Sequence, residues 1–224
     1  MNANIRKNFE NEILKLNEKL TSMGNITIEM YKSTVKALKE NDKELALKII
    51  KKDSVINELN DEINNEAVIL IAKQSPVAID LRTIITIIKI STEIERIADY
   101  TKNISNYILA FNTSNCEGIQ SLNNEFIKAI SILTNMINKT MDAYENESLE
   151  DAKIAATLDD EIDNIYKSNL KKFVQGIKKT ENEQEIDQYL QAIMVNKHLE
   201  RAGDHVTNIV EEVMYYIKGK RYRL

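Results

Sequence analysis

The chain has 224 residues, of which 29% are charged and 43% hydrophobic, with a net charge of −5. Its basic residues are interleaved with acids, which weighs against nucleic acid as a partner. Its one cysteine, Cys116, excludes an intramolecular disulfide and fits a reducing compartment. The opening MNANIRKNFENEIL has no apolar signal core and no run approaches 18 apolar residues, so a cytoplasmic protein without a transmembrane segment is expected. One proline and five glycines leave few turn signals, and long helices follow.

The first predicted helix carries Ile5, Phe9, Ile13, Leu16, Leu20 and Met23 at steps of three or four and runs to about Glu40. A second begins near Asp42, shows Leu45, Ile49, Ile56, Leu59, Ile63, Ala67 and Leu70, and ends by Gln74. Ser75-Pro76 reads as an N-cap followed by proline at the first helical position. The third carries Leu81, Ile84, Ile87, Ile88, Ile94 and Ala98 and reaches about Leu109. Its β-branched run IITIIKI could pass for a buried strand, but it lies inside a long stretch without turn signals, which argues for helix. FNTSNCEG, residues 111–118, is the linker between halves. A fourth helix spans Ile119, Leu122, Phe126, Ile130, Leu133, Ile137, Met141 and Tyr144, and a fifth carries Ile154, Leu158, Ile162, Ile165 and Phe173. A capping box from Thr180 to Glu183 starts the sixth, with Ile186, Leu190, Ile193, Leu199, Val206, Val213 and Ile217. The expected architecture is all-α: two tandem, pseudo-symmetric three-helix bundles over residues 1–112 and 117–224.

The repeat is also written in polar residues. Glu95-Arg96-x-x-Asp99-x-x-x-Asn103 recurs as Glu200-Arg201-x-x-Asp204-x-x-x-Asn208, 105 residues later. Upstream, Asp53 and Asn57 correspond to Asp159 and Asp163 at a spacing of 106. Each set lies at i, i+4 spacing on one helical face. Neighbouring antiparallel helices could bring two such pairs together, and four converging oxygen ligands suit a multivalent cation. The competing reading is a solvated acidic face serving solubility. Like charges at i, i+4 are mildly unfavourable unless neutralised, and their recurrence in register favours a cation.

Asn103 and Asn208 either complete a cation site or hydrogen-bond to the next helix. His198 and His205 lie only in the second copy, opposite Glu93 and Tyr100 of the first, and either could ligate a transition metal or simply face solvent. Asp80 and Arg82 sit at the start of the third helix, where Asp80 reads as an acid favoured in a first helical turn, the alternative being a domain-orienting ion pair. Glu-x-x-His is absent from the repeated phrase, where Ala98 and Gly203 stand three residues after Glu95 and Glu200. With no phosphate loop, nucleophile elbow or H-E-x-x-H motif, catalysis has no positive sign. A metal store or metal-dependent enzyme on these bundles is one reading, and a purely structural adaptor whose acids bind nothing is another.

QSPVAIDLRTIITIIKISTEIERIADYTKNI resembles the signature of the PhoU family, and KHLERAGDHVTNIVEEVMYYIKGK resembles that family's C-terminal repeat. The likeness covers nearly the whole length. It implies two symmetric three-helix bundles, a cytoplasmic homodimer, and multinuclear iron or zinc clusters. Carried over, the metal motifs fall on Asp53, Glu95 and Asp99 in the first half and on Asp159, Asp163, Glu200 and Asp204 in the second. Asn57 stands where the family has an acid, so the first site is expected to be the weaker. The resemblance further implies negative control of phosphate uptake and of the phosphate-starvation response, with the ATPase subunit of a phosphate ABC transporter and a sensor histidine kinase as partners.

Overall fold

A computed structural model describes the backbone of residues 3–74, 76–110 and 117–222, and side chains from Arg6 onward. Ile5, Ser75 and Cys116 therefore lie outside the described side chains. The elements are α1 (Ala3–Glu40), α2 (Lys43–Gln74), α3 (Ala78–Ala110), α4 (Glu117–Glu145), α5 (Leu149–Thr157), α6 (Asp159–Ile177) and α7 (Glu183–Lys218). α5 and α6 abut at Leu158, so the seven segments form six rods in two three-helix bundles, as the apolar period requires.

The turns repeat as faithfully as the helices. Asn41 and Glu147, 106 residues apart, both take φ of +50°. Each precedes an N-cap: the Asp42 carboxylate accepts from the Leu45 amide at 2.9 Å, and the Ser148 hydroxyl accepts from Asp151 at 3.2 Å. Two different side chains thus supply one orphan-amide partner at equivalent bends. In α3, Ile84, Ile87 and Ile90 are buried at a helical step while Ile85 is exposed, which confirms the β-branched run as helix.

Five local expectations are corrected. Helix α3 starts at Ala78, with the Val77 carbonyl accepting from Leu81, so Pro76 lies before the helix and not at its first position. Glu117 and Gly118 belong to α4, not to a linker; residues 111–116 lie outside those described. The fifth rod breaks at Leu158, where i to i−3 bonds from Leu158 to Ala155 and from Glu161 to Leu158 replace the regular ladder. Asp159, Asp160 and Glu161 then occupy the first turn of α6, where the helix dipole favours carboxylates. The cap of α7 is Asn182, whose side chain accepts from Gln184, while the Thr180 hydroxyl accepts from Asn182 in the preceding turn. Finally, Ile154 and Leu190, placed on apolar stripes by the period, are exposed.

α2 packs on α1 and α3, and α6 packs on α4, α5 and α7. The bundles meet through α1 against α4 and α3 against α7, so α1, α3, α7 and α4 form a closed ring with α2 and α5–α6 on its flanks. The buried apolar cluster runs unbroken through both repeats. Polar pins set the register: the fully buried Tyr31 donates to the Ile97 carbonyl at 2.9 Å, and Tyr144 of α4 donates to Asn17 of α1 at 2.6 Å.

Asp80 stands in the first turn of α3, as expected. It is buried and pairs with both terminal nitrogens of Arg6, fastening α1 to α3. Arg82 has a different partner, its guanidinium lying 5.7 Å from the ring centre of Tyr215 on α7. It also fills the space beside Gly219, whose φ of +66° closes α7 and where a Cβ would meet the guanidinium at 2.6 Å.

Candidate functional site

The acidic motifs stand in pairs on adjoining helices, Asp53 and Asn57 of α2 beside Glu95 and Asp99 of α3, and Asp159 and Asp163 of α6 beside Glu200 and Asp204 of α7. The i, i+4 spacing puts each pair on one face, and antiparallel packing turns the faces together.

In the first repeat, Asp53 is buried to 6% exposure. Its Oδ2 accepts from Lys102 Nζ at 3.1 Å and from the Asn57 amide at 3.4 Å, whereas its buried Oδ1 has no hydrogen-bond partner among the described residues. Lys102 also donates to Asp99 Oδ1 at 3.4 Å, and Asn103 donates to Asp99 Oδ2 at 3.3 Å. Burial raises the Glu95 pKa, with Asp99 and Asp53 adding to the rise against Arg96. The pKa of Lys102 is raised, chiefly by its bond to Asp53.

The second repeat is arranged differently. Asp159 opens α6, and half-burial pushes its pKa up to about 6, helped by Asp204, Asp163, Asp160 and Glu200. Asp204 is shifted upward too, first by burial and then by Glu200. Among the described residues neither Asp159 nor Asp204 has an ion-pair or hydrogen-bond partner. The neighbouring lysines engage the outer acids, Lys197 donating to both Glu200 oxygens at 2.9 and 2.7 Å and Lys167 to Asp163 at 2.8 Å. Gly203 makes room for the centre: a Cβ there would stand 2.5 Å from Asp159 Oδ1. A cleft of about 540 Å³ opens beside Asp159, Asp204 and Thr207.

As the side chains stand, no group of three or more His, Cys, Asp or Glu residues among those described is gathered closely enough to hold an ion. The donors themselves fit a hard cation. They are carboxylates and amides, with an orphaned buried oxygen at Asp53 and a glycine-made recess at Asp159.

Between the two sites runs the α3–α7 seam, a pseudo-twofold contact that sequence spacing did not reveal. His205 Nδ1 donates to Glu93 Oε2 at 2.6 Å, and its Nε2 lies 3.3 Å from the Tyr100 hydroxyl. The symmetry-related contact sets His198 against Tyr100, with ring centres 5.5 Å apart. Asn208 crosses the seam to Glu93 at 3.2 Å, the helix-to-helix alternative, whereas Asn103 stays on its own helix. The pKa of His198 is lowered by burial. Despite its burial, the Glu93 carboxylate titrates below its ordinary range because His205 and Asn208 donate to it. The spacing argument also missed Lys102; its signal was the mismatch with Thr207 between the two otherwise similar phrases.

The PhoU domain family matches this chain twice, over residues 20–108 and 126–213. A phosphate-specific transport system accessory protein PhoU homolog from Clostridium acetobutylicum is 34% identical, covering 98% of each chain. A homolog of the same name from Rhizobium meliloti is 30% identical over 97% of this chain and 90% of its own length. Among solved structures, PhoU from Pseudomonas aeruginosa superposes with a TM-score of 0.87 at 28% identity, covering 95% of this chain and all of that one. The phosphate transport system regulatory protein PhoU from Streptococcus pneumoniae gives a TM-score of 0.83 at 26% identity, covering 96% and 100%.

Proposed function

We propose that this chain, which belongs to the PhoU family, is a negative regulator of phosphate uptake and of the phosphate-starvation response. A phosphate-transport accessory and regulatory role is what its relatives' names state, and the observation carrying it here is a likeness that spans both repeats and nearly the full length of those relatives. In the finer reading, the protein works in the cytoplasm as a homodimer linking the ATPase subunit of a phosphate ABC transporter to a sensor histidine kinase. Among the described residues no helix is long and apolar enough to cross a membrane, so membrane partners would be met from outside the bilayer.

The repeats, residues 1–112 and 117–224, would each contribute one acidic face. In the second, Asp159, Asp163, Glu200 and Asp204 would hold a divalent or iron-type cation. Bound there, it would neutralise carboxylates that now repel one another and so tie α6 to α7. Asp53, Asn57, Glu95 and Asp99 form the corresponding set in the first. The role is one of binding, not turnover, because these carboxylates and amides include no nucleophile paired with a general base.

Deletion of the gene tests the reading. Phosphate-starvation genes should then stay switched on in phosphate-rich medium, and the purified protein should bind the transporter ATPase or the kinase less tightly as salt rises. Normal repression in the deletion strain, with no salt-sensitive contact to either partner, would refute it.

A further inference from the structure

The two acidic sites differ in charge at two positions, Asn57 against Asp163 and Lys102 against Thr207. Asp53 and Asp99 correspond to Asp159 and Asp204, but Lys102 corresponds to Thr207. In the first repeat the Lys102 ammonium reaches both inner carboxylates, at 3.1 Å from Asp53 and 3.4 Å from Asp99. In the second, Thr207 bonds back to the Gly203 carbonyl at 3.2 Å, and the inner pair is bridged by no ammonium among the described residues.

We propose that Lys102 is the resident cation of the first repeat's inner carboxylate pair, and that only the second repeat takes an external cation. Three observations converge on this. Asp53 is more than nine-tenths buried, and a carboxylate so placed must be paired. Lys102 extends from the third residue after Asp99, so the helix itself aims its stem along the acidic face. Asn57 stands where the other repeat has Asp163, so the first site has one carboxylate fewer to balance, whereas the second repeat's lysines engage its outer acids and leave Asp159 and Asp204 unbridged. Lysine is suited to this because its ammonium is a compact point charge with three donors and needs no fixed coordination geometry. The inference rests on the reading of the acidic faces as cation sites.

Manganese(II) is the appropriate probe, since it is divalent and prefers oxygen ligands. Its stoichiometry on the full-length, metal-stripped chain should be read by calorimetry and elemental analysis, with helicity followed by circular dichroism. The double variant Glu200→Ala/Asp204→Ala should bind no manganese. Adding Lys102→Thr to it should restore binding in the first repeat, and Lys102→Arg should not. Conversely, Thr207→Lys in the otherwise native chain should abolish binding in the second repeat. As a second readout, Lys102→Thr should melt at a lower temperature than the native chain in chelator and regain stability on adding manganese.

If the double variant still binds with Lys102 in place, the inference is wrong while the cation reading survives. A folded Lys102→Thr triple variant that binds nothing also overturns the inference. If the native chain itself takes no manganese in either repeat, both readings fall.

Discussion

Asp159 holds its proton up to about pH 6 through half-burial and the pressure of Asp204, Asp163, Asp160 and Glu200. Its ionised form is therefore the one that folding penalises. The penalty is fully present above pH 6 and disappears as pH falls toward 3.8, the ordinary value for the unfolded chain. Asp159→Asn keeps the shape and removes the charge. In chelator at pH 7 it should stabilise the protein by about 1 kcal/mol once solvent screening is allowed for, or about 2–4 °C in Tm. That gain should shrink to nothing near pH 4. The same variant should lose manganese affinity by tenfold or more, on the order of 1.4 kcal/mol or above. Thermal melts across pH, with and without the metal, check both halves. A substitution that stabilises the empty protein while weakening its ligand is the mark of a charge kept for binding.

Among the elements, the break between α5 and α6 and the small residue on α7 act together. The break makes Asp159 a first-turn residue of α6, and Gly203 lets its carboxylate lie against the α7 backbone. Gly203→Ala would place a methyl group 2.5 Å from Asp159 Oδ1, so the carboxylate must swing away. Manganese affinity of the second repeat should fall sharply while far-UV helicity is retained, with an overpacking cost of about 1–3 kcal/mol. The first repeat carries Ala98 at this position, where the partner acid Asp53 arises from the uninterrupted α2. Ala98→Gly should therefore leave first-repeat binding unimproved and lower stability by about 1 kcal/mol, the usual cost of glycine in a helix interior. Metal titration and urea denaturation of the two variants side by side distinguish a recess made for one carboxylate from a general loosening of the helix.

The whole molecule is two bundles around one core. The ring of α1, α3, α7 and α4 buries apolar side chains of both repeats in a single cluster, and Lys89 pairs with Glu212 at 2.6 Å across the same seam. The repeats should therefore unfold together. Urea transitions followed by far-UV circular dichroism and by tyrosine fluorescence are expected to coincide in one sigmoid; two resolved steps would show independent halves. Removing the seam pair with Glu93→Ala should destabilise the protein by about 1–3 kcal/mol, since His205 and Asn208 would lose a charged acceptor in a half-buried place. Denaturant midpoints of the native chain and this variant measure that loss.

Sequence alone determined what depends on residues near one another in the chain. Apolar spacing set the six rods, the Asp42 turn was legible from local chemistry, and the 105-residue recurrence exposed the twofold plan and the positions of the candidate acids. Tertiary structure decided what depends on distant partners. The period carries no mark of the break at Leu158, because apolar residues continue on both sides of it and only the local hydrogen bonds show the interruption. Asp80 was legible as a first-turn acid, but its ion pair with Arg6, 74 residues earlier, was not. Lys102 was one lysine among many basic residues until packing placed its ammonium between carboxylates on two helices. Glu93, Tyr100 and His205 became a seam only when α3 met α7. Helix formation follows a short-range period, whereas charge pairing depends on which surfaces the core turns toward each other.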